Sequence, residues 1–484
     1  MKPRDRGRDL LDGTMWGFLA ESLFPLTGLL TASFLTRHLL PEGYGVLTLV
    51  ASLVAWVEWT VTSVFARATL KLVAEAEDWR PLGATLVRWH FFLGVAATAV
   101  IVVFAGPLAE LLGDREMAAY LRLMALEIPL FSLAQAHRNI LTGLGGFRAR
   151  AVTSVWRWTA RLLFVVALVQ LGFSVTGAIV GNLAASLVEL IVVRYYCRPP
   201  LVSPIRFPLS RLTGYAVPLF ISTMCIRLFD VQILLMLKMC GGTVAEVGLL
   251  GAAANLAILP RLFTLSFTPL LVATLTHLQR DGQLQKARDI SRDSLRLGFF
   301  LLPFAGLAAG AGSEITGLIF GPAFAAAGVL FAWQIFAVVA LVMLNTCASI
   351  LVAIGRPAQI LYFALPLIIS GVVTNALVIP VWQAEGAVVA MTACATLGTV
   401  IALVVVGRTW QIWPSLVSLA RCTALTAVVL ALSASWPTPG AWLLVKLAIL
   451  SALAIGGFFL LREFTAREVA LIRSFLPWNR SAPS

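Results

Sequence analysis

The sequence predicts an all-α polytopic membrane protein of fourteen transmembrane helices, built as two parallel six-helix repeats followed by two further helices. Three observations carry this. The 484 residues are 60% hydrophobic and only 12% charged, with a mean hydropathy of +0.92, and the apolar residues fall in runs of about 20, the length that crosses a hydrocarbon core of about 30 Å. Basic residues alternate between successive connections. Segments of the first half recur, in order, in the second.

In lipid every backbone group must bond internally, so the spans are helices, and the alternating pattern of a membrane β-barrel is absent. The first six read as Met15–Thr36, Tyr44–Ala66, Leu82–Ala105, Ala118–Leu141, Ala151–Leu171 and Val175–Tyr196. The next six are Leu212–Leu237, Val244–Leu275, Leu295–Gly312, Ala323–Ile354, Ala358–Ile379 and Gly386–Val406. Leu416–Ser433 and Trp442–Leu461 complete the set. The first apolar run lacks a cleavage-like small-residue site and reads as a retained span.

Connections fix the orientation. With Lys2, Arg4, Arg6 and Arg8 inside, the basic clusters at 67–88, 148–150, 198–211 and 280–296 fall on the same side. So do Arg356, Arg408 and the 462–473 cluster. The opposite connections, LPEG, GPLAELLGDREM, GFS, CGGT, SEITGLIFGP, PVWQAE and WPTPG, hold almost no Lys or Arg. By the positive-inside rule both termini are cytoplasmic, and Trp382, Trp436 and Trp442 sit at outer ends where interfacial rings belong. The net charge of +13 therefore reads as cationic loops facing anionic lipid headgroups, not as a nucleic-acid surface.

The repeat is seen in five segment pairs. Gly45 aligns with Gly248 at an offset of 203, Thr69 with Thr274 at 205, Gly113 with Gly321 at 208, Gly145 with Gly355 at 210, and Gly177 with Gly386 at 209. The units are 1–205 and 206–410, with 411–484 holding two extra helices and a cytoplasmic tail. Six is an even number, so both units insert the same way up, as in transporters whose cavity lies between parallel repeats.

Enzyme classes are disfavoured. The outer loops are too short for a glycan polymerase or glycosyltransferase, and GxxxxGK[ST], HExxH and GxSxG are absent. Cys197, Cys225, Cys240, Cys347, Cys394 and Cys422 form no CxxC pair and read as small hydrophobes, with no metal site or cofactor implied.

LTRHLLPEGYGVLTLVAS (35–52), AEVGLLGAAANLAILP (245–260), LIFGPAFAAAGVLF (318–331), LVAIGRPAQ (351–359) and IPVWQAEGAVVAMTACAT (379–396) resemble the multidrug/oligosaccharidyl-lipid/polysaccharide exporter superfamily, and within it the polysaccharide-biosynthesis flippases. The resemblance covers roughly 10–410. It implies a MATE-like fold in a bacterial inner membrane and alternating-access transport of an undecaprenyl-pyrophosphate-linked oligosaccharide. It further implies a monomer among membrane lipids, with polysaccharide polymerase or assembly proteins as partners. A drug or metabolite antiporter coupled to a cation is the alternative.

Charges inside spans single out the candidate site, because a charge at the bilayer centre costs about 2.5–3.5 kcal/mol on insertion scales and must face a partner or a wet cavity. Arg227 and Asp230, three apart, share a helix face and either pair with each other or line the cavity, where Arg227 takes phosphate oxygens with its bidentate fork. Arg261, beside Pro260, is the second phosphate candidate, and Arg157 and Arg161, four apart, form a patch where the pyrophosphate docks. Glu21 corresponds to Arg227 at offset 206 and Glu58 to Arg261 at 203. That gives an acidic N-terminal wall facing a basic C-terminal wall, with Glu21, Glu58, Glu127 and Glu189 as candidates for H⁺ or Na⁺ coupling. Local bonding of Glu21 and Glu58 to Ser, Trp or backbone groups is the equal alternative. Arg138 reads as snorkelling to headgroups, and GQLQKARDISRDSLR (282–296) as an amphipathic helix on the cytoplasmic surface.

Overall fold

The computed structural model describes residues 3–76, 78–200, 217–438 and 440–463, with side chains from Leu23 onward apart from scattered helical positions. The start of the seventh span, the 201–216 connection and the tail beyond Glu463 lie outside the described residues. Every regular element described is helical. In chain order these are α1 (Pro3–Glu75), α2 (Arg80–Leu111), α3 (Met117–Ala125), α4 (Glu127–Gly143), α5 (Phe147–Leu168) and α6 (Ser174–Tyr196). A second group holds α7 (Val217–Met239), α8 (Val244–Ala257), α9 (Leu259–Arg280), α10 (Leu284–Phe299), α11 (Leu301–Gly310), α12 (Gly312–Phe320), α13 (Ala327–Ala353) and α14 (Leu361–Trp410). Last come α15 (Leu416–Ser435) and α16 (Trp442–Leu460). Among the described residues nine helices are long and apolar enough to cross a membrane, or ten if one bent pair counts as a span.

Three of the longest rods turn sharply at a non-helical residue. In α1 it is Leu40 (φ 58°, ψ 176°), which precedes Pro41. A residue before proline is disfavoured in the helical region, and Pro41 then opens the second limb, where its missing N–H costs nothing. The α5–α6 rod breaks at Gly172 and Ser174, and α14 at Gln383. Ser174 (φ 48°, ψ −130°) and Gln383 (φ 47°, ψ −128°) share one rare backbone state. They stand 209 residues apart, the offset of Gly177 and Gly386. Positive φ is costly for a residue with a side chain, and both residues adopt it at a helix break.

Prolines make smaller breaks. The fourth span divides at Leu126, ahead of Pro129, into α3 and α4. The eighth divides at Ile258, where Pro260 lacks a donor and the Arg261 N–H bonds the Ile258 carbonyl at 2.9 Å. The amphipathic 282–296 stretch is not a separate surface helix. α10 runs through Phe300 into α11 as one rod, which bends by 69° into α12, and its apolar stripe buries Ala287 and Leu295 as the foot of the ninth span.

The first six helices pack among themselves, and α1 makes nearly all of the packing between them and the second group. The closest approach is between the second limb of α1 and α8. A methyl added at Gly45 would lie 2.0 Å from the Val244 carbonyl oxygen, one at Gly248 2.1 Å from that of Pro41, and one at Gly251 2.5 Å from Thr48. Small residues let helix backbones meet, which is how helices associate in lipid. Nearby, the Asn255 amide donates to the Tyr44 hydroxyl at 2.7 Å. Ser33 donates to the Ile319 carbonyl at 2.5 Å and Arg37 to that of Leu318 at 2.7 Å. These carbonyls end α12, where unpaired acceptors and the negative end of the helix dipole favour a cation.

The last two helices dock on α11, where Gly306 and Gly310 let Thr426, Leu430 and Ser433 come close. One end is clamped by Glu314, which accepts from Lys446 and from the Thr438 N–H, both at 2.5 Å. At the other end the Glu463 carboxylate accepts from Ser418 and from Arg421 at 3.1 Å. Substituting Gly248→Val should force α1 from α8 at a cost of about 1–3 kcal/mol, read as a lower apparent melting temperature in detergent. Gly456→Ala, where nothing lies within 4 Å of an added methyl, should leave it unchanged or slightly raised.

Candidate functional site

Two charged clusters lie inside the helical body. The first belongs to α1, α4, α5 and α6. Helical spacing assembles it: Ser186 and Glu189 are three apart on α6, Arg157 and Arg161 four apart on α5, and Glu127 and Arg138 eleven apart on α4, about three turns. Glu189, whose side chain is fully buried, accepts from Arg138 at 3.1 Å through one carboxylate oxygen and from Arg157 through the other. Glu127 accepts from Ser186 at 2.7 Å and from Arg157 at 3.5 Å. Arg138 also reaches Ser154 at 3.1 Å, and the Arg157 guanidinium lies 4.6 Å from the Phe131 ring centroid. Arg161 stands 6.0 Å from the Trp158 ring, and its Nε is buried without a hydrogen-bond partner. Glu58 projects from α1 into the field of Glu127, Arg157, Glu189 and Arg161. It is buried, and its Oε1 has no hydrogen-bond partner.

The expected acidic N-terminal wall is thus mixed in sign: Glu58, Glu127 and Glu189 stand among Arg138, Arg157 and Arg161. Arg138 does not snorkel. It is 9% exposed, because an oxygen of Glu189 that Arg157 leaves open is within reach. Glu21 lies on α1 at a position whose side chain is outside the described residues.

The second cluster joins α7 to α9. Asp230 does not pair with Arg227, its neighbour on the same helix. Its two oxygens take the two terminal nitrogens of Arg261 at 2.9 and 2.6 Å, a fork-on-fork geometry that outweighs a single-point contact. Arg227 makes no ion pair among the described residues. Its guanidinium rests 4.7 Å from the ring centroid of Trp59, on α1, and is exposed. The basic character expected of this side therefore reduces to a net single positive charge, carried by Arg227.

Glu58 and Trp59 are consecutive, and the turn of about 100° per residue aims one at each cluster. Sequence reasoning missed Trp59, Arg138 and Ser186 as members. The three-residue spacing of Ser186 from Glu189 and the three-turn spacing of Arg138 from Glu127 were the available signals; nothing local pointed to Trp59. Among the described residues no three His, Cys, Asp or Glu side chains are grouped to hold a metal ion. Removing the Glu189 charge takes a buried carboxylate from both Arg138 and Arg157, and breaking a buried pair this way costs about 3–5 kcal/mol. Glu189→Gln should sharply reduce folded yield and apparent melting temperature, whereas Ser154→Ala, which removes one neutral acceptor, should have a much smaller effect.

The chain resembles solved structures of one architecture. A lipid II flippase, MurJ, in an inward closed conformation is 13% identical, with 93% of this chain and 99% of that one covered and a TM-score of 0.77. An inward-facing multidrug-resistance MATE transporter of the MOP superfamily is 14% identical over 86% of this chain and 96% of that one, TM-score 0.60. The Vibrio cholerae MATE transporter VcmN is 12% identical over 84% and 97%, TM-score 0.59. No curated protein sequence matches. The fold is therefore the one that these MurJ and MATE structures share. Residues 10–273, just over half of the sequence, match the family model described as polysaccharide biosynthesis protein, and the chain belongs to that family.

Proposed function

We propose that this protein is a flippase. It carries an undecaprenyl-pyrophosphate-linked oligosaccharide, the repeat unit of a surface polysaccharide, from the cytoplasmic to the outer leaflet of a bacterial inner membrane. Transport proceeds by alternating access between the halves 1–205 and 206–410. The observation that carries the reading is Arg227, a guanidinium without a carboxylate, inside a member of the polysaccharide biosynthesis family. Membership alone supports transport of a glycan intermediate; the spare arginine supports an anionic head.

The helices support a reading of fourteen crossings. Nine candidates become twelve when the rods at Leu40, Gly172–Ser174 and Gln383 are each taken as two limbs. The bent rod from Leu284 to Phe320 and α7 supply two more. Both termini are then cytoplasmic, as the positive-inside rule requires. The two C-terminal helices favour the flippase over the drug antiporter. The flippase likeness covers 93% of this chain at TM-score 0.77, against 86% at 0.60 for the inward-facing drug exporter.

A pyrophosphate head entering the cavity loses water, and Arg227 replaces it with charge-assisted hydrogen bonds. Arg261 contributes its second face or exchanges Asp230 for a phosphate oxygen. Arg157 is held by Glu189 and Glu127 and so is less free to dock than Arg161, whose Nε has no hydrogen-bond partner. Of the acids proposed for H⁺ or Na⁺ coupling, Glu58 is best placed, because Glu127 and Glu189 already hold arginines and Glu58 holds none. Cell interiors are negative, and moving one charge through 100 mV is worth about 2.3 kcal/mol, so outward movement of an anionic head is downhill.

Reconstitution in liposomes with a fluorescent polyprenyl-pyrophosphate saccharide tests the reading. Wild type should expose the lipid at the opposite leaflet, faster under an interior-negative potential. A charge-assisted bond is worth about 1.5–3 kcal/mol, so Arg227→Ala should slow exposure about 10- to 100-fold. Absence of exposure by a folded wild type, beside an active control, would reject the flippase. In a separate series, Glu58→Gln should abolish any dependence of the rate on a proton or sodium gradient. A gradient response that survives this substitution would remove Glu58 from the coupling step.

A further inference from the structure

Arg227 rests in an unusual place for a charge within a membrane. Its nearest carboxylate, Asp230, is committed to Arg261 through both oxygens. The guanidinium instead lies 4.7 Å from the centroid of Trp59, a ring that is 49% exposed. One turn earlier on α7, Met224 accepts the Thr60 hydroxyl at 3.4 Å. Trp59 and Thr60 belong to α1 and Arg227 and Met224 to α7, so these neighbouring contacts tie the first helical group to the second at one point.

We propose that Trp59 is a positioning residue for Arg227. It is a seat that holds the exposed guanidinium in place while the site is empty and gives it up to the phosphates of the substrate head. A ring face suits this task because of its strength. A cation over an exposed ring gains less than a charge-assisted hydrogen bond to an anion. Phosphate therefore wins against the ring. It would not win cheaply against a carboxylate fork of the kind that holds Arg261. Because seat and cation lie on different helical groups, the exchange also removes one of the ties between α1 and α7. Arrival of the head is thereby felt by the packing between the two groups. This inference rests on the pyrophosphate reading above and adds the residue that prepares the arginine for it.

The test uses the purified full-length protein and farnesyl pyrophosphate as the probe. Trp59→Leu removes the competitor and should tighten binding about two- to fivefold, as the cation–ring energy implies. Trp59→Phe should stay near wild type, and the gain should vanish when Trp59→Leu is combined with Arg227→Ala. In protein retaining Trp59, a Thr60→Cys/Met224→Cys pair should cross-link readily when empty and markedly less with saturating probe. Unchanged or weaker binding by Trp59→Leu overturns the seat, as does cross-linking indifferent to the probe. If wild type fails to bind farnesyl pyrophosphate at all, the pyrophosphate reading itself falls and the seat with it.

Discussion

A charge placed in hydrocarbon must be matched, and the interior of this protein is arranged around that demand. Three carboxylates and three guanidiniums meet within the first helical group, with Glu189 bridging Arg138 and Arg157. Such a network contributes little net stability, because the desolvation of each ion offsets its attraction to the next. Its consequence is specificity: α4, α5 and α6 are held in one register, since a slip of any of them would leave a bare charge. Within that neutral frame, Glu58 and Arg161 are the loosely held members. In the second group one fork closes on Asp230 and one guanidinium is left over. The network isolates the groups that remain free to meet something else.

Contact between the two helical groups obeys a different rule. Lipid gives helices no hydrophobic reason to associate, so close backbone approach and hydrogen bonds decide. Gly45, Gly248 and Gly251 supply the approach, and Ser33, Arg37 and Asn255 supply the bonds. All lie toward the Leu40 turn. Farther along the second limb of α1 the ties become weaker in kind, a hydroxyl on a thioether and a cation on a ring. A seam strong at one end and weak at the other opens more readily at the weak end.

Much of this was legible in the sequence, and the part that was not shares one cause. Spans, their breaks and the glycine pairs are properties of short segments. Pro129 and Pro260 interrupt helices because they lack a donor, wherever those helices later pack. Gly45 and Gly248 were found as a repeated pair, although that they would touch each other's helices was not. Partner choice could not be read locally. Asp230 is three residues from Arg227 and thirty-one from Arg261, yet it takes the distant arginine because only that one presents its fork squarely. Arg138 sits where snorkelling is the ordinary outcome, and only the placement of α6 brings Glu189 to it. Lys446, nearly fully buried against Glu314, is a further case of a charge whose partner lies on a helix far away in sequence.

The pattern gives α1 a role that neither cluster has alone. Its turn at Leu40 sets the first limb against α12 and the second against α8. Glu58 then points to the balanced network, and Trp59, one residue on, points to the unpaired arginine. A helix is stiff over this length, so a shift at Trp59 displaces Glu58 as well, and the two events cannot be independent. An anion that shifted Trp59 as it drew Arg227 from the ring would therefore alter the surroundings of Glu58, among the described residues the one buried carboxylate that holds no arginine. Coupling between a substrate head and an ion would in this way need no long path through the protein. It would need only two adjacent side chains on a rigid rod, each committed to a different half.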